Sequence, residues 1–439
     1  MEALRENPRT PNGVLQYAIQ LMQEGMYFGA SCVLRLLHEN LPKPERKKTA
    51  SLLAQCGMAL RSSELMSYAT ESQMEVLQKR TALMQDTTLH EAMKAQLDEA
   101  RVASPAAWFA ADTETSIAVC AGGKTLMAQL WCNLHSLKHV GCKLPVQVFH
   151  AAEVDEDEQA TFIRVFEPHF PVSFVDLSKS VLCTEQAMTP EKLRGFQIKL
   201  AALCMTTAQR VLLMDADILW LSDPSRLMDE CMCTYDALIF SDIWHFENKK
   251  HERTSTTTLL YDIHRLSSGI QEWESGVVYL DRAQLWPTIS ILHHICIKYD
   301  YYFSLAFGDK DLYHIALATC GAKCHPRMPV PRILGCLRDA AEGSSEFISH
   351  SMLQQTIDRP SHVHMTLHPI SDPESANIPT HICDAQSIKF VTRTIQQKTV
   401  GTIACDCDDA QQLCSSDRVA IQNVYTAARA MLLEYPGGV

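Results

Sequence analysis

Apolar positions fall into two regimes along the chain. Through residues 1–110 they recur at helical spacing: Val14, Ala18, Leu21 and Met22 share one face, Gly25 breaks the run, and Ala30, Val33, Leu34, Leu36 and Leu37 resume it up to Pro42. Further helices are expected at about 47–60, 62–85 and 88–102. Strand signal is almost absent here. The simpler reading is a helical appendage packed on the next domain; a partner-binding helical module is the other.

From Ser116 the period changes. IAVCAGG (117–123) is a short apolar run ending in two glycines, and an amphipathic helix follows with Leu126, Leu130, Leu134 and Leu137 expected inward. PVQVFHA (145–151) reads as the next strand, so strand, glycine turn, helix and strand form a βαβ unit and predict a parallel sheet. Strands at 172–177, 210–218, 236–243 and 275–281 extend it, with a helix at 190–207 and a terminal helix at 416–434. The spacing predicts one mostly parallel sheet covered by helices, in an α/β domain at 111–400, preceded by an all-α segment at 1–110 and followed by an extension at 401–439.

Composition narrows the function classes. The net charge of −12 offers no basic excess for a nucleic-acid surface, so no nucleic-acid partner is expected. A phosphorylated small molecule remains possible for an acidic chain if a metal ion or local cations supply positive charge. The 17 cysteines follow no disulfide-framework or zinc spacing. Cys120, Cys132, Cys204 and Cys296 sit in apolar runs as small core residues, and only Cys405, Cys407 and Cys414 cluster as a disulfide or metal site would. No window approaches the roughly 20 apolar residues of a membrane span, the polar start MEALRENPRTPNG lacks a signal-peptide core, and no asparagine begins Asn-x-Ser/Thr. These features lead to the expectation of a cytoplasmic chain without a membrane span.

The strongest chemical signal is LLMDADILWLSDPSRL (212–227), where an apolar strand ends in Asp215-Ala216-Asp217. Carboxylates at i and i+2 on an extended chain point the same way and repel, so a cation normally sits between or beside them. At the carboxyl end of a strand in an open α/β sheet, such a cation can bridge a bound diphosphate. An isolated Asp-x-Asp can equally be two solvated turn residues; its place at the end of an apolar strand favours the cation site. The Gly122-Gly123 turn lets backbone approach a ligand at a helix N-terminus, which favours anions. GFQIKLAAL (195–203) puts Gln197 and Lys199 just before the aspartate strand, EWESGVVYLD (272–281) puts Glu274 and Ser275 at the entry of another, and FGDKDLY (307–313) packs charges into a turn. Each has a bland alternative: Glu274 as a strand cap, Asp309 and Asp311 as an exposed helix start.

Together, VCAGGKTLMAQLWCNLHSLKHVGCKLPVQVFH, GFQIKLAALCMTTAQRVLLMDADILWLSDP, ESGVVYLDRAQLW and FGDKDLYHIAL resemble, in order and spacing, the fungal α-mannosyltransferase family of Golgi α-1,2- and α-1,3-mannosyltransferases. The resemblance runs over about 115–370. It implies a GT-A-type nucleotide-sugar-binding fold, a nucleotide-sugar donor (typically GDP-mannose), a manganese ion (or magnesium), a glycan or glycoprotein acceptor, and retention of anomeric configuration. It would make Asp217 a metal ligand, with Asp215 touching the metal and the donor ribose. The Ala121-Gly122-Gly123 turn would hold the nucleotide and Lys199 would meet the donor phosphate or sugar. Glu274 would lie near the transferred sugar, and Asp309 and Asp311 near sugar or acceptor. A late histidine completes the metal shell in such folds, and SHVHMTLHPI (361–370) supplies His364, favoured over His368.

Two departures stand out. The family tends to have a lysine or small-residue turn after that histidine, and this chain has neither. Family members carry an N-terminal anchor and luminal stem, which would place the protein in the Golgi lumen if this chain is truncated or differently targeted. Three rivals follow from the same residues: a glucosyl- or galactosyltransferase using a UDP-hexose, a nucleotidyltransferase, and a turnover-dead scaffold that binds partners through 1–110. The last would show no metal-dependent rise in thermal stability.

Overall fold

The computed structural model describes residues 18, 34, 82–103, 113–185, 188–232, 234–242, 255–266, 273–306, 308–324, 328–339, 345–356, 359–365, 379–384, 388–395, 398–405, 411–412 and 415–436. Two compact units comprise residues 1–93 with 250–259, and 94–249 with 260–439. In the first, Ala18 and Leu34 are buried helical residues. The helix pairs expected at 47–60 and 62–85 fall largely outside the described residues, as do Cys407 and Cys414. A helix at Thr87–Val102 (α1) matches the one expected at 88–102.

The second unit contains the α/β body. Its first strand, Thr113–Cys120 (β1), is followed by the helix Gly123–His139 (α2), the strand Val146–His150 (β2), the helix Glu156–Phe166 (α3) and the strand Val172–Asp176 (β3). Next come the helix Gln197–Met205 (α4), the strand Ala208–Asp215 (β4), the short strand Ile218–Trp220 (β5), the helix Pro224–Met232 (α5) and the strand Ala237–Ser241 (β6). The strand Trp273–Asp281 (β7) and the helices Trp286–Ile297 (α7), Tyr299–Leu305 (α8) and Lys310–Cys320 (α9) complete this half, and the helix Ser255–Ile263 (α6) has its first five residues in the first unit.

Strands β3-β2-β1-β4-β7-β6 form a six-stranded sheet in that order. β1 pairs in parallel with β2 and β4, and β2 with β3, as the βαβ pattern predicts. β7 departs from that pattern, running antiparallel to both β4 and β6. The expected α/β class with a mostly parallel central sheet is therefore borne out, with one reversed strand. Strands covered on both faces read as unbroken apolar runs: Ile117, Ala118 and Val119 of β1 and Val211, Leu212 and Leu213 of β4 are all fully buried. On α2 the inward stripe is Met127, Leu130, Trp131, Leu134 and Leu137; burying each contributes about 1.5–3 kcal/mol. Leu126, expected inward, is 44% exposed, because the first turn of α2 stands clear of the core-facing stripe. The helix expected from 190 begins at Gln197. Gly195 has φ +96°, a left-handed backbone that helix interiors exclude.

A second six-stranded sheet was not foreseen. The strands Arg332–Asp339 (β8), Ser345–Gln355 (β9), Pro360–His364 (β10), His381–Asp384 (β11), Ile388–Ile395 (β12), Lys398–Cys405 (β13) and Gln411–Gln412 (β14) precede the terminal helix Ser415–Leu433 (α10). The order is β14-β11-β8-β9-β10-β5, while β12 and β13 form a separate hairpin that crosses position 400. Strand β5, three residues beyond the end of β4, thus links the two sheets. Helix α10 packs on α2: Cys132 Sγ donates to Ala428 O at 3.2 Å, and Tyr435, just beyond α10, sets its ring tilted against Trp131 and edge-on to Phe162. Cys132, Cys204 and Cys296 are buried as expected of core cysteines, and Cys120 is half-buried.

Five histidines are held neutral, chiefly by burial. His135, His264, His293 and His294 are lowered from 6.5 to about 4 and His362 to about 3. The unfolded chain takes up these protons first as pH falls, so their contribution is complete above about 6.5 and is lost between about 6.5 and 4. Each is worth at most about 1.4 kcal/mol per pH unit, less for the partly exposed ones. Urea unfolding is therefore expected to show a loss on the order of 5 kcal/mol between pH 7 and pH 5. Equal stability at the two values would mean that these imidazoles accept protons inside the fold.

Candidate active site

The carboxyl edge of the central sheet gathers most of the candidate residues. Asp215 is the last residue of β4 and pairs in register with Cys120, the last residue of β1. The Ala121-Gly122-Gly123 turn continues directly from β1, and Ala121 is anchored by its N–H to Phe149 O at 3.0 Å. Gly123 has φ +71°, and a Cβ on Gly122 would stand 2.8 Å from Glu153 Oε2. Gly123 is thus favoured by its left-handed backbone, while a side chain at Gly122 would have to displace Glu153. Helix α2 starts here without a side-chain cap, and Gly123, Lys124 and Thr125 are exposed. Its first N–H groups are available to an anion.

Asp217 reaches the site by a different route from the one the sequence suggests. The strand ends at Asp215, so side-chain alternation does not align the two aspartates. Instead β5 pairs antiparallel with β10, with Ile218 opposite His364, and the Met365 N–H donates to Asp217 O at 3.1 Å. This pairing brings His364 over the aspartate turn. His364 Nε2 lies 3.2 Å from Asp217 Oδ1 and 3.6 Å from Asp215 Oδ2. One ligand atom from each of Asp215, Asp217 and His364 fits within 4.8 Å of the others, the one such three-residue group among the described residues. Adjacent donors on an octahedral ion with bonds near 2.1 Å stand about 3 Å apart, so the spacing and the oxygen–nitrogen donor set suit a hard-to-borderline divalent cation. His368 lies outside the described residues.

Lys199, on α4, is buried between two carboxylates: Nζ is 2.6 Å from Asp215 Oδ1 and 3.3 Å from Asp309 Oδ2. It also donates to Ser275 O at 3.5 Å, and the Ser275 hydroxyl donates to Asp309 Oδ1 at 3.1 Å. Arg282 locks the corner that delivers Lys199 and Asp215, donating to the carbonyls of Thr206 at 2.6 Å, Ala208 at 2.7 Å and Cys204 at 3.2 Å. Asp311 is fixed by the Tyr261 hydroxyl at 3.2 Å, and the intervening Lys310 pairs with Asp242 at 2.7 Å. Gln197, singled out beside Lys199, instead closes the loop before α4 by donating to the carbonyls of Lys192 and Arg194.

Glu274, 7% exposed on β7, directs Oε1 to His364 Nδ1 at 3.1 Å and accepts the Gly276 N–H on the same oxygen at 2.6 Å. Three further residues matter that the motifs did not single out. Gly276 leaves room for the His364 ring. Asn133 of α2 donates to Asp215 O at 3.2 Å, and Tyr261 holds Asp311. A glycine inside an apolar strand is the one sequence signal for the first, since it marks close approach of other atoms.

Charge is distributed unevenly. Burial raises Asp215, and although Lys199 opposes this, Asp217 adds to it, so Asp215 stands at about 7. This shift opposes the histidine effect above, as does that of His364 described below. Burial would raise Asp217 as well, but His364 outweighs it and the carboxyl is lowered. Glu274 is likewise carried against its burial by His364 and Lys199, to about 2. His364, which burial would lower, is held well above the usual imidazole range by Glu274 and Asp217. An imidazolium and an ammonium thus stand among the carboxylates of the cluster.

Residues 117–253 match the model of a mannosyltransferase family, Mannosyl_trans3. The chain is 24% identical over 207 residues to alpha-1,2-mannosyltransferase MNN23 of Candida albicans, a match covering 47% of this chain and 29% of that protein. It thus spans less than a third of that relative's length. Solved structures with detectable likeness include the galactosyltransferase LgtC in complex with donor and acceptor sugar analogs, at 14% identity and TM-score 0.34 over 48% of this chain and 72% of that one. Core-mannan synthase A (CmsA/Ktr4) of Aspergillus fumigatus, in its Mn/GDP form, is 13% identical with TM-score 0.32 over 52% of this chain and 74% of that one. The mannosyltransferase PcManGT of Pyrobaculum calidifontis, in complex with GDP-Man and Mn2+, is 16% identical with TM-score 0.29 over 57% and 66%. The likeness to mannosyltransferases read from the sequence blocks is borne out over 117–253. No helix among the described residues is long and apolar enough to cross a membrane.

Proposed function

We propose that this chain is a metal-dependent glycosyltransferase of the GT-A type that moves mannose from GDP-mannose to a hydroxyl of a glycan or glycoprotein acceptor, with retention of configuration. The observation that carries the reading is the convergence of Asp215, Asp217 and His364 beside an uncapped helix N-terminus at the carboxyl edge of the sheet. The family match over 117–253, which contains both aspartates and the glycine turn, supports the choice of mannose.

Asp215, Asp217 and His364 would hold manganese or magnesium. Bound there, the ion would neutralise the charge that develops on a departing nucleoside diphosphate. The chain's own groups add to this. The Ala121–Gly123 turn would bring backbone N–H groups of α2 against a phosphate. Lys199 ties Asp215 to Asp309, so it sets the spacing between the cation edge and the start of α9. Asp309 and Asp311, at that start, are the carboxylates assigned to the sugar or the acceptor hydroxyl. Burial of Lys199, Glu274 and Asp309 excludes water from this side, which strengthens each electrostatic contact.

The test is a donor screen on the purified chain: GDP-mannose, UDP-glucose, UDP-galactose and UDP-N-acetylglucosamine, each with and without Mn2+. GDP-mannose with Mn2+ is expected to be slowly hydrolysed and to raise the unfolding midpoint, by about 2.7 kcal/mol of stability at a hundredfold excess over Kd. A UDP-sugar acting in its place would move the assignment to a UDP-hexose enzyme. Indifference to every donor and to Mn2+ would overturn the enzyme reading.

A further inference from the structure

Glu274 has two possible duties, and its geometry separates them. A carboxylate that works on the transferred sugar must spend an oxygen on substrate. Glu274 turns Oε1 inward, where it accepts the Gly276 N–H at 2.6 Å and stands at ion-pair distance, 3.1 Å, from His364 Nδ1. His364 presents its other nitrogen, Nε2, to Asp217 and Asp215. Carboxylate, imidazole and cation site therefore lie in series. A carboxylate beside Nδ1 favours a proton on that nitrogen, which leaves the Nε2 lone pair facing the cation site.

Gly276 is the second half of the device. A Cβ there would lie 2.4 Å from His364 Cε1, 2.6 Å from His364 Nδ1 and 2.9 Å from Glu274 Oε1. No side chain can occupy that position while the imidazole stays where it is. The β7 segment Glu274-Ser275-Gly276 thus holds the ring from one side by charge and leaves it a slot on the other. Ser275, between them, is engaged with Asp309. The bulge where β6 pairs with β7, between Ile239 and Phe240, falls at this stretch and alters the register that a regular ladder would give Glu274.

We infer that Glu274 is a positioning residue that, with Gly276, orients His364 toward the cation rather than a catalytic group acting on the sugar. The inference rests on the metal-dependent reading above. Glu274 Oε2, buried and without a hydrogen-bond partner, is the atom a sugar-contacting role would use, so the two roles make opposite predictions about metal affinity.

The deciding measurement is Mn2+ affinity of the full chain, read as free Mn2+ by electron paramagnetic resonance, for the parent, Glu274→Gln, Gly276→Ala, His364→Asn and the double variant Glu274→Gln/His364→Asn. Removing an outer partner of a metal-bound histidine weakens affinity roughly 10- to 100-fold. Glu274→Gln and Gly276→Ala are each expected to show such a loss, and GDP-mannose hydrolysis to recover to within a few-fold of the parent at saturating Mn2+. Glu274→Gln is expected to add nothing further to His364→Asn. Should one of the two single variants fail to fold, the other carries the same expectation from the opposite side of the ring. Unchanged Mn2+ affinity in Glu274→Gln, with turnover lost at saturating metal, would overturn the inference and return Glu274 to the sugar. A parent chain that binds no Mn2+ would overturn the functional reading and this inference together.

Discussion

Asp217→Ala is expected to abolish the Mn2+-dependent rise in thermal stability and to lower donor turnover by on the order of 10³-fold. Its Oδ1 is the carboxylate oxygen closest to His364 Nε2, at 3.2 Å. Its backbone carbonyl is pinned by Met365 at 3.1 Å, a bond that alanine preserves. The substitution thus removes a ligand while leaving the β5–β10 junction intact. Asp215 does not replace it, because Lys199 already occupies Oδ1 of Asp215 at 2.6 Å and burial raises that carboxyl to about 7. Calorimetry with and without Mn2+, beside a hydrolysis assay, checks both halves. Turnover within tenfold of the parent would take the metal role away from Asp217.

Lys199→Met carries the second large effect, on stability as well as turnover. The side chain is buried and its ammonium contacts Asp215 and Asp309. Removing one partner of a buried ion pair leaves uncompensated charge, at a cost of roughly 3–5 kcal/mol. Part of that deficit is expected to disappear when Mn2+ is added, since a divalent ion beside Asp215 supplies the missing positive charge. Urea unfolding of parent and variant, each with EDTA and with Mn2+, measures the four values. A variant as stable as the parent in EDTA would show that Lys199 does not balance the buried carboxylates.

The parts of this architecture that were legible from residue order are those written in local periodicity. β1, β4 and β7 carry short apolar runs at Ile117–Val119, Val211–Met214 and Val277–Leu280, because both faces of a central strand are covered, whereas β2 and the edge strand β3 were legible from Val146, Val148 and Phe149 and from Val172, Phe174 and Val175 around single polar residues. The candidate motifs were legible for the same reason: a charged pair after Val211–Met214 violates the pattern that surrounds it. What was missed depends on long-range pairing. β9 and β10, EFISHSMLQQ and SHVH, mix polar and apolar residues without strict alternation, so neither period stands out. The antiparallel course of β7 leaves no mark on its composition. The convergence of Asp215 and Asp217 was inferred from strand alternation, whereas it comes from β5 turning into the second sheet. Glu274 was singled out at the entry of a strand, but its contact with His364 is between residues about 90 positions apart, which no local pattern encodes.

The joining of β5 to β10 also has a temporal side. Asp217 and His364 are separated by about 150 residues, so the contact that completes the cluster is among the slowest to find by diffusion of the chain. During synthesis, at 5–20 residues per second, the aspartates emerge roughly 7–30 s before their histidine. The α/β half is assembled around an incomplete centre in the meantime. On the proposed reading, affinity for the cation would report that β10 has docked, and a chain halted before β10 would carry both aspartates without the histidine that completes their cluster.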